Sequence, residues 1–155
     1  LEDLGFRKFT VGALWALGVA AEVGIFLIMH RLMRRFALAR VLFVSLLLAV
    51  LRWLIIALCG ADLWWLVPAQ LLHAASYGSF HAASIAWVQD TFGEAHAGQG
   101  QALYSSLGYG AGWALGAGLS GLYWARWGAD SFLVAAATAA VAALVVWRWL
   151  LNRRC

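Results

Sequence analysis

Five long apolar runs alternate with short polar stretches along the chain. One run carries a single charge, Glu22, and the next carries only Arg52. A helix needs about 20 apolar residues to cross a bilayer, and spanning segments are helical because lipid offers no partner to unpaired backbone groups. The pattern therefore predicts an all-α integral membrane fold with five transmembrane helices, at approximately residues 8–30, 37–60, 63–89, 98–125 and 130–151.

The composition excludes a soluble domain. Only 12% of the residues are charged, 65% are hydrophobic and the mean hydropathy is +0.81, whereas about a quarter of a soluble domain is charged. The net charge of +4 does not indicate nucleic-acid binding, because the basic residues lie at the ends of apolar runs and form no patch. We therefore expect the lipid bilayer as a partner, and no nucleic acid.

The Lys and Arg residues of the short loops predict the orientation, because such residues are enriched on the cytoplasmic side. With five helices, the loop after the first helix and the C-terminus share a side, which carries seven basic residues: Arg31, Arg34, Arg35, Arg40, Arg148, Arg153 and Arg154. The other side carries three: Arg7, Lys8 and Arg126. We expect the N-terminus outside and the C-terminus in the cytoplasm. An outside N-terminus without a signal sequence also predicts further helices upstream.

Glu22 and Arg52 are the ionisable residues deepest in their apolar runs. A lone charge inside a membrane is costly, so such residues normally face a partner or an aqueous cavity. Counted from the predicted helix ends, their levels differ by roughly 5 Å at 1.5 Å per residue, and His73 of the third helix lies at a similar level. We expect the three side chains to converge in one layer and to couple transport to protons. The alternative is a static ion pair that fixes helix packing.

A polar stripe runs along the third predicted helix. Gln70, His73, Tyr77 and His81 are separated by three, four and four residues, so they share one helical face. Such a stripe on an apolar helix indicates a bundle interior or a wet pathway. We expect Gln70, Tyr77 and His81 to line a substrate cavity; the alternative is that the histidines are structural. No metal site is predicted, because no third ligand is spaced to join His73 and His81.

The fourth predicted helix is rich in glycine. Gly108, Gly112, Gly116 and Ser120 repeat every four residues, which is the small-residue face that lets membrane helices approach closely. We expect this face to serve helix packing, with Gly112 and Gly116 touching a neighbouring helix.

Several segments together resemble the major facilitator superfamily, in the branch that contains lactose permease and the phenylpropionate-type proton symporters. They are GALWALGVAAEVGIF (12–26), HRLMRRFALAR (30–40), LRWLIIA (51–57), QLLHAASYGSFHAAS (70–84) and GQALYSSLGYGAGWALGAGLSGLYW (100–124). The resemblance covers nearly the whole chain and matches the last five of twelve helices, eight to twelve. It implies that the chain is the C-terminal part of the helical bundle, without its N-terminal half, and that it lies in a bacterial inner membrane.

The resemblance also implies roles for particular positions. Arg52 matches the helix-nine arginine associated with proton coupling, and His73 takes the histidine position of the permease's K-x-x-H-x-x-E motif. Gln70 stands where that motif has its lysine, and Ser76 where it has the glutamate associated with proton transfer. Glu22 lies about one turn from the permease's substrate-binding glutamate. If coupling is retained, Glu22 supplies the missing carboxylate.

The function implied is proton-coupled symport of a small organic solute, such as a sugar, a nucleoside or an aromatic acid, by alternating access. The proton is the coupling ion, and no cofactor or enzymatic activity is implied. One alternative is a truncated fragment that cannot transport, since the two halves of a transporter normally enclose the substrate between them. The other is an intramembrane enzyme, for which no G-x-S-x-G or H-E-x-x-H motif is present.

Overall fold

The structure, a computed structural model, describes residues 5–152. These residues are almost entirely helical. Arg153 and Arg154, which contribute to the predicted orientation, lie outside this range. No strand occurs within it. The α-helices are α1 (Lys8–Arg35), α2 (Leu38–Cys59), α3 (Leu63–His73), α4 (Ser79–Ser105), α5 (Trp113–Trp127) and α6 (Ser131–Val146). π-helical turns at Ala74–Gly78, Ser106–Gly112 and Trp147–Leu151, and a 3₁₀ turn at Gly128–Asp130, join or extend them.

Within the described part of the chain, three helical stretches are long and apolar enough to cross a membrane: Lys8–Arg35, Leu38–Cys59 and Leu63–Leu151. The last has 89 residues, or roughly 130 Å at 1.5 Å per residue, which is far more than one bilayer crossing requires. Gly93 and Gly128 break it, because each has a positive φ, of 67° and 53°, that does not continue a helix. Residues 5–152 thus fold into five helical segments; we call residues 63–92, 94–127 and 128–151 the third, fourth and fifth.

The first, third and fourth segments extend beyond the sequence-based boundaries by three or more residues. α1 continues to Arg35, five residues beyond the apolar run, because its basic C-terminal turn suits the negative end of a helix dipole. Between the third and fourth segments there is no extended loop; the chain turns at Gly93 alone. Gly100 permits this tight return, since a Cβ there would lie 2.7 Å from the Phe92 ring and 2.9 Å from Val88 Cγ1.

The packing centres on α2, which lies against α6, α3 and α4, while α1 packs on α3 and on the π-helical turn after it. Met29, Val41, Leu42 and Ala83 form a buried cluster between α1, α2 and α4. Many large apolar side chains stay exposed, such as Leu58 at 74%. An exposed apolar surface of this kind suits lipid, which solvates apolar side chains as well as a protein core does.

The glycine face of the fourth segment does not pack as expected within this chain. A Cβ added at Gly116 meets nothing within 4 Å, and one at Gly112 meets only the Leu107 carbonyl oxygen of its own helix. No residue of Ser106–Gly112 or of α5 is buried. The expected contact of Gly112 and Gly116 with a neighbouring helix is therefore wrong for residues 5–152. The face formed by Gly108, Gly112, Gly116 and Ser120 is open, and its role in helix packing stays a prediction.

Candidate functional site

Glu22, Arg52 and His73 meet in one hydrogen-bonded chain, although they come from three different helices. Glu22 lies in the middle of α1, Arg52 in the second half of α2, and His73 at the end of α3. His73 Nε2 lies 2.8 Å from Glu22 Oε1, and Arg52 Nη1 donates to His73 Nδ1. The convergence expected from their depths is thus present in the structure.

The donor directions define the charge state of this chain. Guanidinium nitrogens only donate, so His73 Nδ1 must accept and its proton must sit on Nε2, from which it is donated to the Glu22 carboxylate. A neutral imidazole therefore separates the cation of Arg52 from the anion of Glu22. The side chains of His73 and Glu22 remain 32% and 20% exposed. The charges of Arg52 and Glu22 thus balance each other, while His73 and Glu22 remain accessible to solvent or ligand.

Arg52 is held by more than its charge. Its guanidinium carbon lies 4.0 Å from the centroid of the Trp53 ring, which is a cation–π contact. Trp53 in turn stacks on Phe132 of α6, with ring centroids 5.5 Å apart. The Nε atom of Arg52 is buried and has no hydrogen-bond partner among the described residues. At least one N–H donor of Arg52 is therefore not used by an acceptor within residues 5–152.

A cavity of about 700 Å³ surrounds this chain of side chains, a size typical of small-molecule sites. Glu22, Arg52 and His73 line it together with Gln70. A Cβ at Gly18 would lie 3.0 Å from Gln70 Oε1, so this glycine makes room for the amide beside α1. Most of the remaining wall is apolar or aromatic, and its aromatic members are Trp15, Trp53, Trp124 and Phe132.

Tyr77 and His81 do not line this cavity, whereas Gln70 does. They contact the fourth segment instead, where Tyr109 Oη lies 2.6 Å from His81 Nδ1 and 3.5 Å from Tyr77 Oη. The Tyr104 ring packs beside them. The predicted substrate-lining set therefore divides into two places, and its role stays a prediction.

Sequence reasoning did not single out the two tyrosines of the fourth segment or the aromatic wall of the cavity. Tyr104 and Tyr109 lie within the glycine-rich run, whose repeat of small residues predicts a packing surface. Trp53 directly follows Arg52 in the sequence, and this adjacency was the available signal for a cation–π partner. Gly18 precedes Glu22 by one helical turn, but the sequence does not show which side chain it faces.

The sequence of the chain is similar to known proteins. The sequence model of the MFS_1 like family, a branch of the major facilitator superfamily, matches residues 1–135. The chain belongs to this family. The fold class expected from the sequence, an all-α membrane fragment of a facilitator-type bundle, is confirmed, and the chain is part of a multi-pass membrane protein.

A curated relative lies in the same branch. It is the "Probable 3-phenylpropionic acid transporter" of Escherichia coli (strain K12), which is 35% identical over 106 residues. The aligned region is 68% of this chain and 27% of the relative, so the chain of this MFS_1 like protein spans about a quarter of the relative's length. No solved structure matches the chain significantly.

Proposed function

We propose that this MFS_1 like chain is the C-terminal part of a secondary transporter that carries a small organic solute together with protons. The observation that supports this most is the Glu22–His73–Arg52 chain inside a cavity of about 700 Å³. Three ionisable groups at this depth are costly for a membrane protein, and such groups usually belong to an ion or substrate pathway.

Each residue of the chain has a distinct role in this proposal. Glu22 binds the coupling proton, because it is the only carboxylate among the described residues that line the cavity. Arg52 remains charged and balances Glu22 when the proton leaves. His73 touches both, so it transmits a change at either end to the other. If opening toward one side separates Glu22 from this pair, its proton affinity differs between the two states, as a coupled switch requires.

An aromatic acid is the solute class that the cavity favours over a sugar or a nucleoside. The rings of Trp15, Trp53, Trp124 and Phe132 offer an apolar aromatic wall, and Arg52 supplies a cation on the same wall. A carboxylate on Arg52 and a ring against the wall satisfy both features. The name of the relative, probable 3-phenylpropionic acid transporter, agrees with an aromatic acid as the solute.

Uptake by the complete transporter tests the proposed function. Vesicles that contain it and carry an imposed inward proton gradient should accumulate a labelled aromatic monocarboxylate above the outside concentration. An uncoupler should abolish that accumulation, and the uncharged amide of the same acid should not accumulate. Accumulation that survives the uncoupler would contradict proton coupling. Accumulation of a sugar or nucleoside, and not of the acid, would contradict the solute class.

The chain needs a partner for this activity, in our proposal the N-terminal half of the transporter. It spans only 27% of its relative, and transporter substrate sites usually lie between two halves. The open face of α5 and of the turn before it is available for such a contact, since no residue there is buried. The alternative, a fragment that cannot transport, predicts that the chain alone shows no uptake and that co-expression of the remaining helices does not restore it.

We also propose that α1 begins outside and ends in the cytoplasm of a bacterial inner membrane. The support is the excess of Lys and Arg around the turn between α1 and α2 and at the C-terminus, which by the positive-inside rule belong inside. A periplasm-active reporter fused after Ala61 should be active, and the same reporter after Gly93 should be inactive. The reverse pattern would overturn the orientation.

A further inference from the structure

A row of stacked rings continues from His73 along the third segment. The His73 and Tyr77 rings have centroids 5.4 Å apart and are inclined by 7°. The Tyr77 and His81 rings are 6.1 Å apart and inclined by 2°. From His73 to His81 the row covers eight residues, or about 12 Å along the helix axis.

The fourth segment completes hydrogen bonds across this row. Tyr109 Oη lies 2.6 Å from His81 Nδ1 and 3.5 Å from Tyr77 Oη. Tyr77 and Tyr109 both belong to π-helical turns, Ala74–Gly78 and Ser106–Gly112. Such turns are uncommon and often occur at functional sites. Together with His81 of α4, the two turns place the hydroxyls of Tyr77 and Tyr109 and the His81 imidazole in succession.

The row points away from the cavity. At one end of the bundle, the cavity reaches Gly60, Ala61 and Gly128 in the loops. In the opposite direction, Gly78 packs against Ile25, since a Cβ at Gly78 would lie 3.3 Å from Ile25 Cγ2. Ile25 lies in α1, three residues after Glu22. His81 lies further along the same direction, toward the end where α1 terminates. The site therefore has a cavity on one side and the aromatic row on the other.

We propose that Tyr77, Tyr109 and His81 form a proton relay that connects the Glu22–His73 pair with the end of the bundle at which α1 ends. This rests on the proposed function, because it requires that Glu22 exchange a proton during transport. The neighbours of His81 suit a relay, since its ring contacts are all with tyrosines: Tyr77, Tyr104 and Tyr109. No carboxylate or basic group is among these contacts to hold a proton in place.

The transfer conserves every proton. A water molecule takes the proton from the Glu22 carboxyl and donates it to Tyr77 Oη. His73 does not carry this proton, because its Nδ1 accepts from Arg52 and its Nε2–H faces Glu22, whereas one water can bridge a gap between two polar groups. As Tyr77 Oη gains this proton, it passes its own to Tyr109 Oη, which passes its own to His81 Nδ1. His81 then releases the Nε2 proton to solvent. Rotation of the hydroxyls, together with return of the His81 ring proton from Nδ1 to Nε2 by exchange with solvent, restores the starting state, and no covalent bond to carbon changes.

Removing one hydroxyl tests the relay. In the complete transporter reconstituted in vesicles, Tyr109→Phe retains the ring and deletes the hydroxyl that touches both His81 and Tyr77. We expect the solute-dependent proton flux, measured with an internal pH dye, to fall by about 100-fold, the low end of what a positioned proton-transfer group contributes. Exchange of labelled solute without a gradient should remain at the wild-type rate. Tyr77→Phe should give the same result.

Tyr123→Phe is the matched control, because Tyr123 lies in the same segment and stacks on Trp127, outside the row. It should leave both rates unchanged. Wild-type coupling with an unaffected proton flux in Tyr109→Phe and Tyr77→Phe would overturn the relay alone. Loss of exchange together with proton flux would overturn it too, since the tyrosines would then bind solute or support the fold. A wild-type protein that moves solute without protons would overturn the proposed function and the relay with it.

Discussion

Glu22→Gln is expected to abolish uphill, proton-driven accumulation of solute while preserving exchange of solute between the two sides. Glutamine imitates the permanently protonated acid, keeping its shape and removing the change of charge. It can still accept the hydrogen bond from His73 Nε2 that Glu22 Oε1 now accepts at 2.8 Å. A transporter with a fixed neutral group at this place can open to either side with solute bound, yet the proton gradient has no group to act on.

Two measurements on the reconstituted complete transporter distinguish the outcomes: accumulation under an imposed proton gradient, and exchange of labelled solute without one. Glu94→Gln is the matched control, because Glu94 follows the Gly93 turn, is exposed and does not line the cavity; it should leave both measurements unchanged. Undiminished accumulation in Glu22→Gln would mean that another group carries the proton. Loss of accumulation and exchange together would mark Glu22 as a binding or structural residue.

The meeting of Glu22, Arg52 and His73 could be predicted because the membrane constrains ionisable residues strongly. A charge inside an apolar run needs a partner at its own depth, and depth can be counted from the helix ends with the rise per residue. The count does not say which atoms meet. That His73 lies between the other two, with Nδ1 toward Arg52 and Nε2 toward Glu22, depends on how three helices pack.

The division of the polar stripe could not be predicted, because residue spacing gives a shared helical face but not the depth at which a cavity ends. His73, Tyr77 and His81 stay on one face, as their stacked rings show. Gln70 and His73 lie at the level of the cavity, while Tyr77 and His81 lie further along the third segment, where Tyr109 contacts them.

The pairing of the two tyrosines of the fourth segment could not be predicted either, because it depends on a π-helical turn. Tyr104 and Tyr109 are five residues apart, which in an α-helix places them about 140° apart around the axis. Because Ser106–Gly112 is π-helical, a period closer to five residues brings both rings to one side, with centroids 5.9 Å apart. A rule based on the α-helical period therefore emphasised the glycines of this run and missed its tyrosines.

The five helical segments and the open glycine face show two further limits of sequence pattern. Apolar length identifies the segments well, since lipid permits little else. The four-residue repeat of Gly108, Gly112 and Gly116 correctly marks a smooth surface but does not name its partner. Within residues 5–152 that surface meets no other helix, so the pattern describes a capacity for close approach and not a contact of this chain.

The largest effect on folding is expected from Arg52→Gln, with rescue by Glu22→Gln. Removing the guanidinium leaves the Glu22 carboxylate in the bundle without its cation, and breaking one side of a buried ion pair costs about 3–5 kcal/mol. Because His73 separates the two charges and the Glu22 side chain keeps 20% of its surface exposed, we expect a loss below that range, of about 2 kcal/mol. The yield of folded transporter and its thermal stability in detergent should both fall clearly.

The double variant decides whether charge balance is the reason. Arg52→Gln with Glu22→Gln removes both charges and leaves two neutral amides beside His73, so most of the lost stability should return, because a pair removed together leaves no unpaired charge. Arg126→Gln, a matched change at the end of α5 and outside the cavity, should be neutral alone. If the double variant is no more stable than Arg52→Gln, then Arg52 stabilises the bundle mainly through its contact with the Trp53 ring, and the charge-balance role assigned to it is wrong. If Arg52→Gln is as stable as the wild type, Glu22 does not need this cation, and the coupling proposal loses the residue that holds its charge.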